Sequence, residues 1–174
     1  MPRNIEIKAR LRSLDAARRT AEEVGRSHGV EHQIDTYFPC PHGRLKLREF
    51  VGRQSQLVWY ARPDAAEAKA SDYTLTPVAD PAPLKAALSA ALGVAVVVDK
   101  QREIYLSDNV RIHLDLVQGL GTFLEFEAVL GPAADGRWTD DDAGRLQVAE
   151  LSRLFGLTSA DLVTGSYADL LTGR

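Results

Sequence analysis

The stretch Val110-Arg111-Ile112-His113-Leu114-Asp115-Leu116-Val117 decides how the chain is read. Val110, Ile112, Leu114 and Leu116 fall on one side of an extended backbone, and Arg111, His113 and Asp115 fall on the other. This is the period of two that marks a β-strand. Residues two apart on a strand stand side by side, roughly 7 Å apart along it. One face is therefore apolar, and the other carries a row of ionisable groups.

The pattern spreads in both directions. Downstream, Gly119 and Gly121 mark a turn, and Phe123 to Leu130 then sets Glu125 and Glu127 against Leu124, Phe126 and Ala128. Upstream, across a Ser107-Asp108-Asn109 turn, Val94 to Leu106 enters a strand with Lys100 and Arg102 on one face. Arg44, Lys46 and Arg48 alternate with Leu45 and Leu47. At the start of the chain Asn4, Glu6 and Lys8 alternate with Ile5, Ile7 and Ala9. Gln33–Phe38, Gln56–Arg62 and Tyr73–Val78 are predicted as further strands, with Trp59 and Tyr60 as strand-forming aromatics that pack against helices. Pro39-Cys40-Pro41-His42-Gly43 is a turn cluster, and Pro63 to Ala70 a polar, alanine-rich loop.

Helical stripes interrupt the strands. Ser13 caps a helix carrying Leu14, Ala17, Ala21 and Val24, which stops at Gly25. Asp80-Pro81 opens a second, with Leu84, Leu88, Ala91 and Leu92, closed by Gly93. Gly131 to Trp138 is predicted as a loop. Thr139 with Asp142 resembles a capping box for a third helix bearing Leu146, Leu151, Leu154 and Phe155 and ending at Gly156. Two short helical turns follow, capped by Thr158 and Ser166. The class is α+β, with about eight mostly antiparallel strands.

The 174 residues suit one domain spanning 1–174, with 139–174 as a helical segment of it. Hydrophobic residues make up 45% and charged residues 26%, an ordinary globular composition. A net charge of −3 argues against nucleic acid or an anionic membrane as partner. The single cysteine, Cys40, excludes an internal disulfide and cysteine zinc sites, and its proline turn offers no activating partner. No apolar run approaches the roughly 20 residues of a membrane helix. Met1-Pro2-Arg3-Asn4 lacks a signal-peptide core, so a reducing, cytoplasmic setting is expected.

Two arrangements account for the charged faces. An antiparallel sheet with one wet face gives this alternation without any function. Alternatively, the sheet closes into a barrel, the apolar faces meet helices outside, and the charged faces line a wet interior. The charge distribution favours closure. Lys8, Arg44, Lys46, Arg48, Arg62, Lys100, Arg102 and Arg111 face four acids, Glu6, Asp115, Glu125 and Glu127, whereas the rest of the chain has 13 bases and 20 acids. A basic interior in an acidic shell focuses anions inward. Carboxylates are the ligands of Mg²⁺ and Mn²⁺, and Glu125, Glu127 and Asp115 can hold such a cation. Arginine forks and lysines match phosphate oxygens. Acids and bases together point to metal-bound polyphosphate. His28, His32, His42 and His113 are scattered and form no metal-ligand spacing, though His113 shares the charged face.

In that order, Asn4-Ile5-Glu6-Ile7-Lys8, Arg44-Leu45-Lys46-Leu47-Arg48, Lys100-Gln101-Arg102, Asp115 and Glu125-Phe126-Glu127 resemble the motifs of the CYTH superfamily, the triphosphate tunnel metalloenzymes. The resemblance implies an eight-stranded antiparallel tunnel with helices packed outside, acting with Mg²⁺ or Mn²⁺ on a small-molecule triphosphate. ATP, inorganic triphosphate and thiamine triphosphate are the candidates. It implies Glu6, Asp115, Glu125 and Glu127 as metal ligands, and Lys8, Lys46, Arg48, Arg62, Lys100, Arg102 and Arg111 as phosphate binders. Glu6 and Lys8 take the catalytic roles. Lys69 falls in the predicted loop, where a lysine is usually solvated. The activity implied is triphosphate hydrolysis, with ATP cyclisation or turnover-free nucleotide sensing as alternatives. Nucleic acid and membrane are not implied as partners; a homodimer is implied by the likeness alone. Two positions depart from the family pattern: Asn4 stands at the first acidic position, and Ala61 precedes Arg62 where relatives often carry another base.

Overall fold

The computed structural model describes residues 2–132 and 138–173. Among these, eight strands close into one barrel: β1 (Arg3–Arg10), β2 (Arg26–Phe38), β3 (Arg44–Phe50), β4 (Arg53–Ala61), β5 (Lys69–Val78), β6 (Val96–Ser107), β7 (Val110–Val117) and β8 (Gly121–Val129). Their order around the barrel is β1-β5-β4-β3-β2-β6-β7-β8, and every pair is antiparallel. Closure removes the free edges of an open sheet and gives each strand an inside and an outside.

The outside is apolar and covered. Helix α1 (Leu14–Val24) starts at Ser13, whose hydroxyl accepts from the Ala16 amide, and buries Ala17 and Ala21. With α3 (Asp141–Leu154) it packs over Ile5, Ile7, Ile112, Leu114, Leu124 and Phe126. Glycine lets α3 approach closely, since a Cβ on Gly144 would stand 3.1 Å from Ile5 Cγ1 and 2.9 Å from Leu130 Cδ2. Helix α2 (Pro81–Leu92) lays Leu84 and Leu88 on Phe38, Leu47 and Val78. A 3₁₀ turn (Ser159–Asp161) and α4 (Tyr167–Thr172) then cross one end of the barrel. There Val163, Tyr167 and Ala168 pack on Tyr37, Val98, Val117 and Phe123.

Three local predictions differ from the structure. β2 runs back to Arg26, well before Gln33, because its polar first half is held by backbone pairing with β6 and not by an apolar face; a register shift between Ser27 and Gly29 absorbs the bend. β5 begins at Lys69, inside the predicted loop, because Lys69 pairs with Glu6 and Ala70 with Ile5. The third helix is capped by Asp140, whose carboxylate accepts from the Ala143 amide at 2.9 Å. Thr139 instead joins Trp138 in a two-residue ladder with Gly131–Pro132. Residues 133–137 of the predicted loop lie outside the described residues. No helix among the described residues is long and apolar enough to cross a membrane.

Candidate functional site

Alternation along each strand delivers the ionisable residues to a lumen of about 480 Å³. Among the described residues, eight bases and four glutamates line it. The charges are sorted into two groups on adjoining arcs of the barrel, which meet where β6 pairs with β7.

The acidic arc is β1, β8 and β7. Register sets Glu6 opposite Glu127, Lys8 opposite Glu125, Glu125 opposite His113, and Glu127 opposite Arg111. Glu125 is tightly paired: Lys8 Nζ donates to Oε1 at 2.8 Å and Arg102 Nη2 to Oε2 at 2.6 Å. These cations outweigh the burial that opposes its charge and hold its carboxyl well below the usual range. Glu127 is looser, with Arg111 at 3.6 Å and His113 Nδ1 at 3.9 Å. Glu6 meets Arg62 at 2.9 Å, yet burial, reinforced by Glu125 and Glu127, raises its proton affinity. His113 Nδ1 is buried with no hydrogen-bond partner. His113, Glu125 and Glu127 bring one ligand atom each to within 4.8 Å of one another.

The basic arc is β2, β3 and β6. Its centre is Asp35, 1% exposed. Lys46 and Lys100 each donate to Oδ2 at 2.9 Å, and Arg48 makes a two-pronged contact at 2.7 and 2.8 Å. Burial works against the charge of Asp35, but the three cations together hold its carboxyl far below the ordinary range. Burial and neighbouring cations push Lys46 down to about 7 and Lys100 down to about 8. These two ammonium groups are the least stable charges of the arc.

Tyr167 closes the end covered by α4. Its hydroxyl donates to Asp115 at 2.7 Å, and Lys8 Nζ stands 3.8 Å above its ring. Arg62 donates to the Gly165 carbonyl at 2.7 Å, and Arg44 bridges Asp64 and Asp169.

The structure therefore brings Glu6, Lys8, Lys46, Arg48, Arg62, Lys100, Arg102, Arg111, Glu125 and Glu127 to one cavity. Asp115 lies behind that wall, wholly buried, with its oxygens taken by Arg102 and Tyr167. Arg111 sits at the open end with 43% of its side chain exposed. Lys69 is not solvated: it is 2% exposed, donates to the Ala65 carbonyl, and is lowered to about 8 by burial and Arg62. Tyr60 faces the lumen while Trp59 points outward to the His42 carbonyl. Sequence reasoning missed Asp35, Tyr167 and the place of His113 beside the glutamates. Only the Gln33-Asp35-Tyr37 alternation and the His113-Glu125 ladder pair carry those signals.

The family model for the CYTH domain matches residues 2–167. Among solved structures, the PH1012 protein of Pyrococcus horikoshii is 24% identical, with 96% of this chain and 98% of that chain covered and a TM-score of 0.82. An adenylate cyclase candidate from Vibrio parahaemolyticus is 21% identical, with 97% of each chain covered and a TM-score of 0.75. The adenylyl cyclase candidate HpAC1 of Hippeastrum, reported to have a dominant triphosphatase activity, is 13% identical, with 98% and 96% covered and a TM-score of 0.65. No curated protein matches the chain.

Proposed function

Because the chain belongs to the CYTH family, we propose that it is a divalent-metal-dependent enzyme that hydrolyses a triphosphate held in the barrel lumen. One observation carries this reading: a cation-seeking cluster and a phosphate-seeking cluster line a single cavity. Either cluster alone suits a metal site or an anion site; together they suit a metal-complexed polyphosphate.

The donor set fits a hard or borderline divalent cation, of the Mg²⁺ or Mn²⁺ kind. His113 Nδ1 has no partner, and Glu6 and Glu127 face each other with raised mutual repulsion. Glu6, Glu125, Glu127 and His113 would hold it, and bound there it supplies charge neutralisation for phosphoryl oxygens. Asp115, expected as a further ligand, is better assigned to fixing Arg102, with which it makes a two-pronged contact. Asn4 reaches the same face with an unpartnered amide oxygen, a neutral donor where the family pattern has a carboxylate.

The chain's own residues do the rest. Lys46, Arg48, Lys100 and Arg102 hold phosphate oxygens, with Arg62 and Lys8 at the closed end. Positioning and charge neutralisation are the main contributions a protein makes to phosphoryl transfer. Glu6, with its raised proton affinity, accepts the proton of an attacking water, and Lys8 stabilises charge beside it.

The test is a product analysis with Mg²⁺ or Mn²⁺ and, separately, ATP, inorganic triphosphate and thiamine triphosphate. Orthophosphate release supports hydrolysis. A cyclic nucleotide with pyrophosphate replaces it with cyclisation, an activity that the candidate status of the Vibrio and Hippeastrum neighbours brings into view. Binding without any product replaces both with a sensor.

A further inference from the structure

Five buried side chains close a ring of contacts. The Tyr167 hydroxyl donates to Asp115 Oδ2 at 2.7 Å, and Arg102 grips the two oxygens of Asp115 at 2.7 and 2.6 Å. Arg102 Nη2 also donates to Glu125 Oε2 at 2.6 Å, and Lys8 Nζ donates to Glu125 Oε1 at 2.8 Å. Lys8 Nζ in turn stands 3.8 Å from the centre of the Tyr167 ring. Lys8, Arg102, Asp115 and Glu125 belong to barrel strands, whereas Tyr167 opens α4. Its place is fixed from both sides. Leu162 bridges to Ala9, the Val163 amide donates to the Lys8 carbonyl at 2.9 Å, and Ser166 and Asp169 cap the turn that follows. Burial and the charge of Asp115 hold the Tyr167 phenol well above its ordinary range, so it stays a donor.

On the reading of the lumen as a metal and triphosphate site, we propose that Tyr167 is a positioning residue for Glu125, acting through Lys8 with its ring and through Asp115 and Arg102 with its hydroxyl. Glu125 is among the carboxylates that would hold the cation. A carboxylate offers about four lone-pair sites, so Lys8 and Arg102 can each occupy one and leave others for a metal. Those two donors set the direction in which the remaining sites point, and Tyr167 holds both donors. Its ring keeps the Lys8 ammonium in place by a cation–π contact. Its hydroxyl gives Asp115 Oδ2 a donor of its own, which lets Arg102 Nη2 serve Glu125 as well. Without that hydroxyl the wholly buried Asp115 is one donor short and draws on Arg102. Groups behind a metal ligand orient it and tune its affinity. Helix α4 is on this account a part of the site and not only its cover.

Binding of Mn²⁺ alone to the full chain tests this, followed by the paramagnetic resonance signal of the free ion, with a thermal melt of each variant. Tyr167→Phe keeps the ring and loses the hydroxyl; Tyr167→Leu loses both. Phe123→Leu is the packing control, because Phe123 meets the Tyr167 ring edge-on at 5.0 Å and shares its apolar cluster. Mn²⁺ affinity falls about tenfold in Tyr167→Phe, which melts near wild type, and further in Tyr167→Leu. Phe123→Leu melts below wild type, as a core truncation does, yet binds Mn²⁺ within about twofold of it. Wild-type affinity in Tyr167→Phe, or an equal loss of affinity in Phe123→Leu, overturns this inference alone and leaves α4 as a cover. A wild-type chain that binds no Mn²⁺ overturns the cation site of the proposed function together with it.

Discussion

On one arc of the lumen a single carboxylate serves three cations; on the other, three glutamates stand together beside an unpartnered imidazole, and Glu127 has no cation closer than 3.6 Å. Asp35 stands to Lys46, Arg48 and Lys100 as a phosphate oxygen would, so those bases are already ordered before any ligand arrives. Ordering side chains in advance lowers the entropic cost of binding. The acidic arc is looser. Glu6 answers burial and its neighbours with a raised proton affinity, and His113 Nδ1 has nothing to bond. The basic arc carries an internal substitute for its ligand, whereas the acidic arc leaves Glu127 and His113 loosely held.

The largest effect is expected from the acidic arc. Glu127→Ala removes the carboxylate whose partners are no closer than 3.6 Å, so folding depends on it little. We expect turnover with Mn²⁺ to fall about a hundredfold or more while the melting temperature stays near wild type. Glu125→Ala should differ. It strands Lys8 as a buried charge, removes one of the two carboxylates that hold Arg102, and costs stability as well as activity. Unchanged rates in Glu127→Ala would remove the cation from the acidic arc.

Asp35→Asn tests the other side. Breaking a buried ion network by removing one partner costs about 3–5 kcal/mol, because the remaining charges stay uncompensated. The variant should melt well below wild type. Added inorganic triphosphate, without metal, should then raise its melting temperature more than it raises that of wild type, since phosphate replaces the lost counterion. Equal ligand-induced shifts in the two proteins would mean that phosphate does not reach Lys46, Arg48 and Lys100.

These contrasts explain what was legible in the sequence. Strict alternation with one apolar face made β1, β3, β7 and β8 readable, because burial against α1 and α3 enforces the pattern of β1, β7 and β8, and burial against α2 that of β3. The first half of β2 was not, because backbone pairing with β6 asks nothing of side chains. Lys69 was read as loop because only its partner Glu6, far away in sequence, shows that it is strand. The bases and glutamates could be placed on one face each, but how they pair is a property of register across strands. So His113 beside Glu125, and Asp35 beneath three cations, emerged only with the ladder in place.

The pH dependence of binding separates the arcs more finely. Burial pushes Lys46 to about 7 and Lys100 to about 8, below the ordinary lysine range. A bound phosphate favours the ammonium form, so binding raises both values and draws protons from solution. Affinity contributed by these lysines is full below the free-state values and is lost as pH rises through about 7 to 8 and beyond. Calorimetry at about pH 8.5 in buffers of different ionisation enthalpy should therefore show net proton uptake on triphosphate binding. No uptake would mean that the lysines keep Asp35 as their partner.

The smallest effect belongs to Arg111, where the two arcs meet bulk water. Its guanidinium is 43% exposed and no closer than 3.6 Å to Glu127, so solvent screens whatever it contributes. Arg111→Ala should weaken triphosphate binding by about threefold or less at low ionic strength, chiefly by slowing association, and the difference should vanish in high salt. Arg48→Ala, which removes a buried two-pronged donor, should cost more and keep its cost in salt. If Arg111→Ala matched Arg48→Ala and resisted salt, a phosphate would have to sit at the mouth and not at depth. The charged end of the ligand would then lie beside Glu127 and bulk water, away from Asp35.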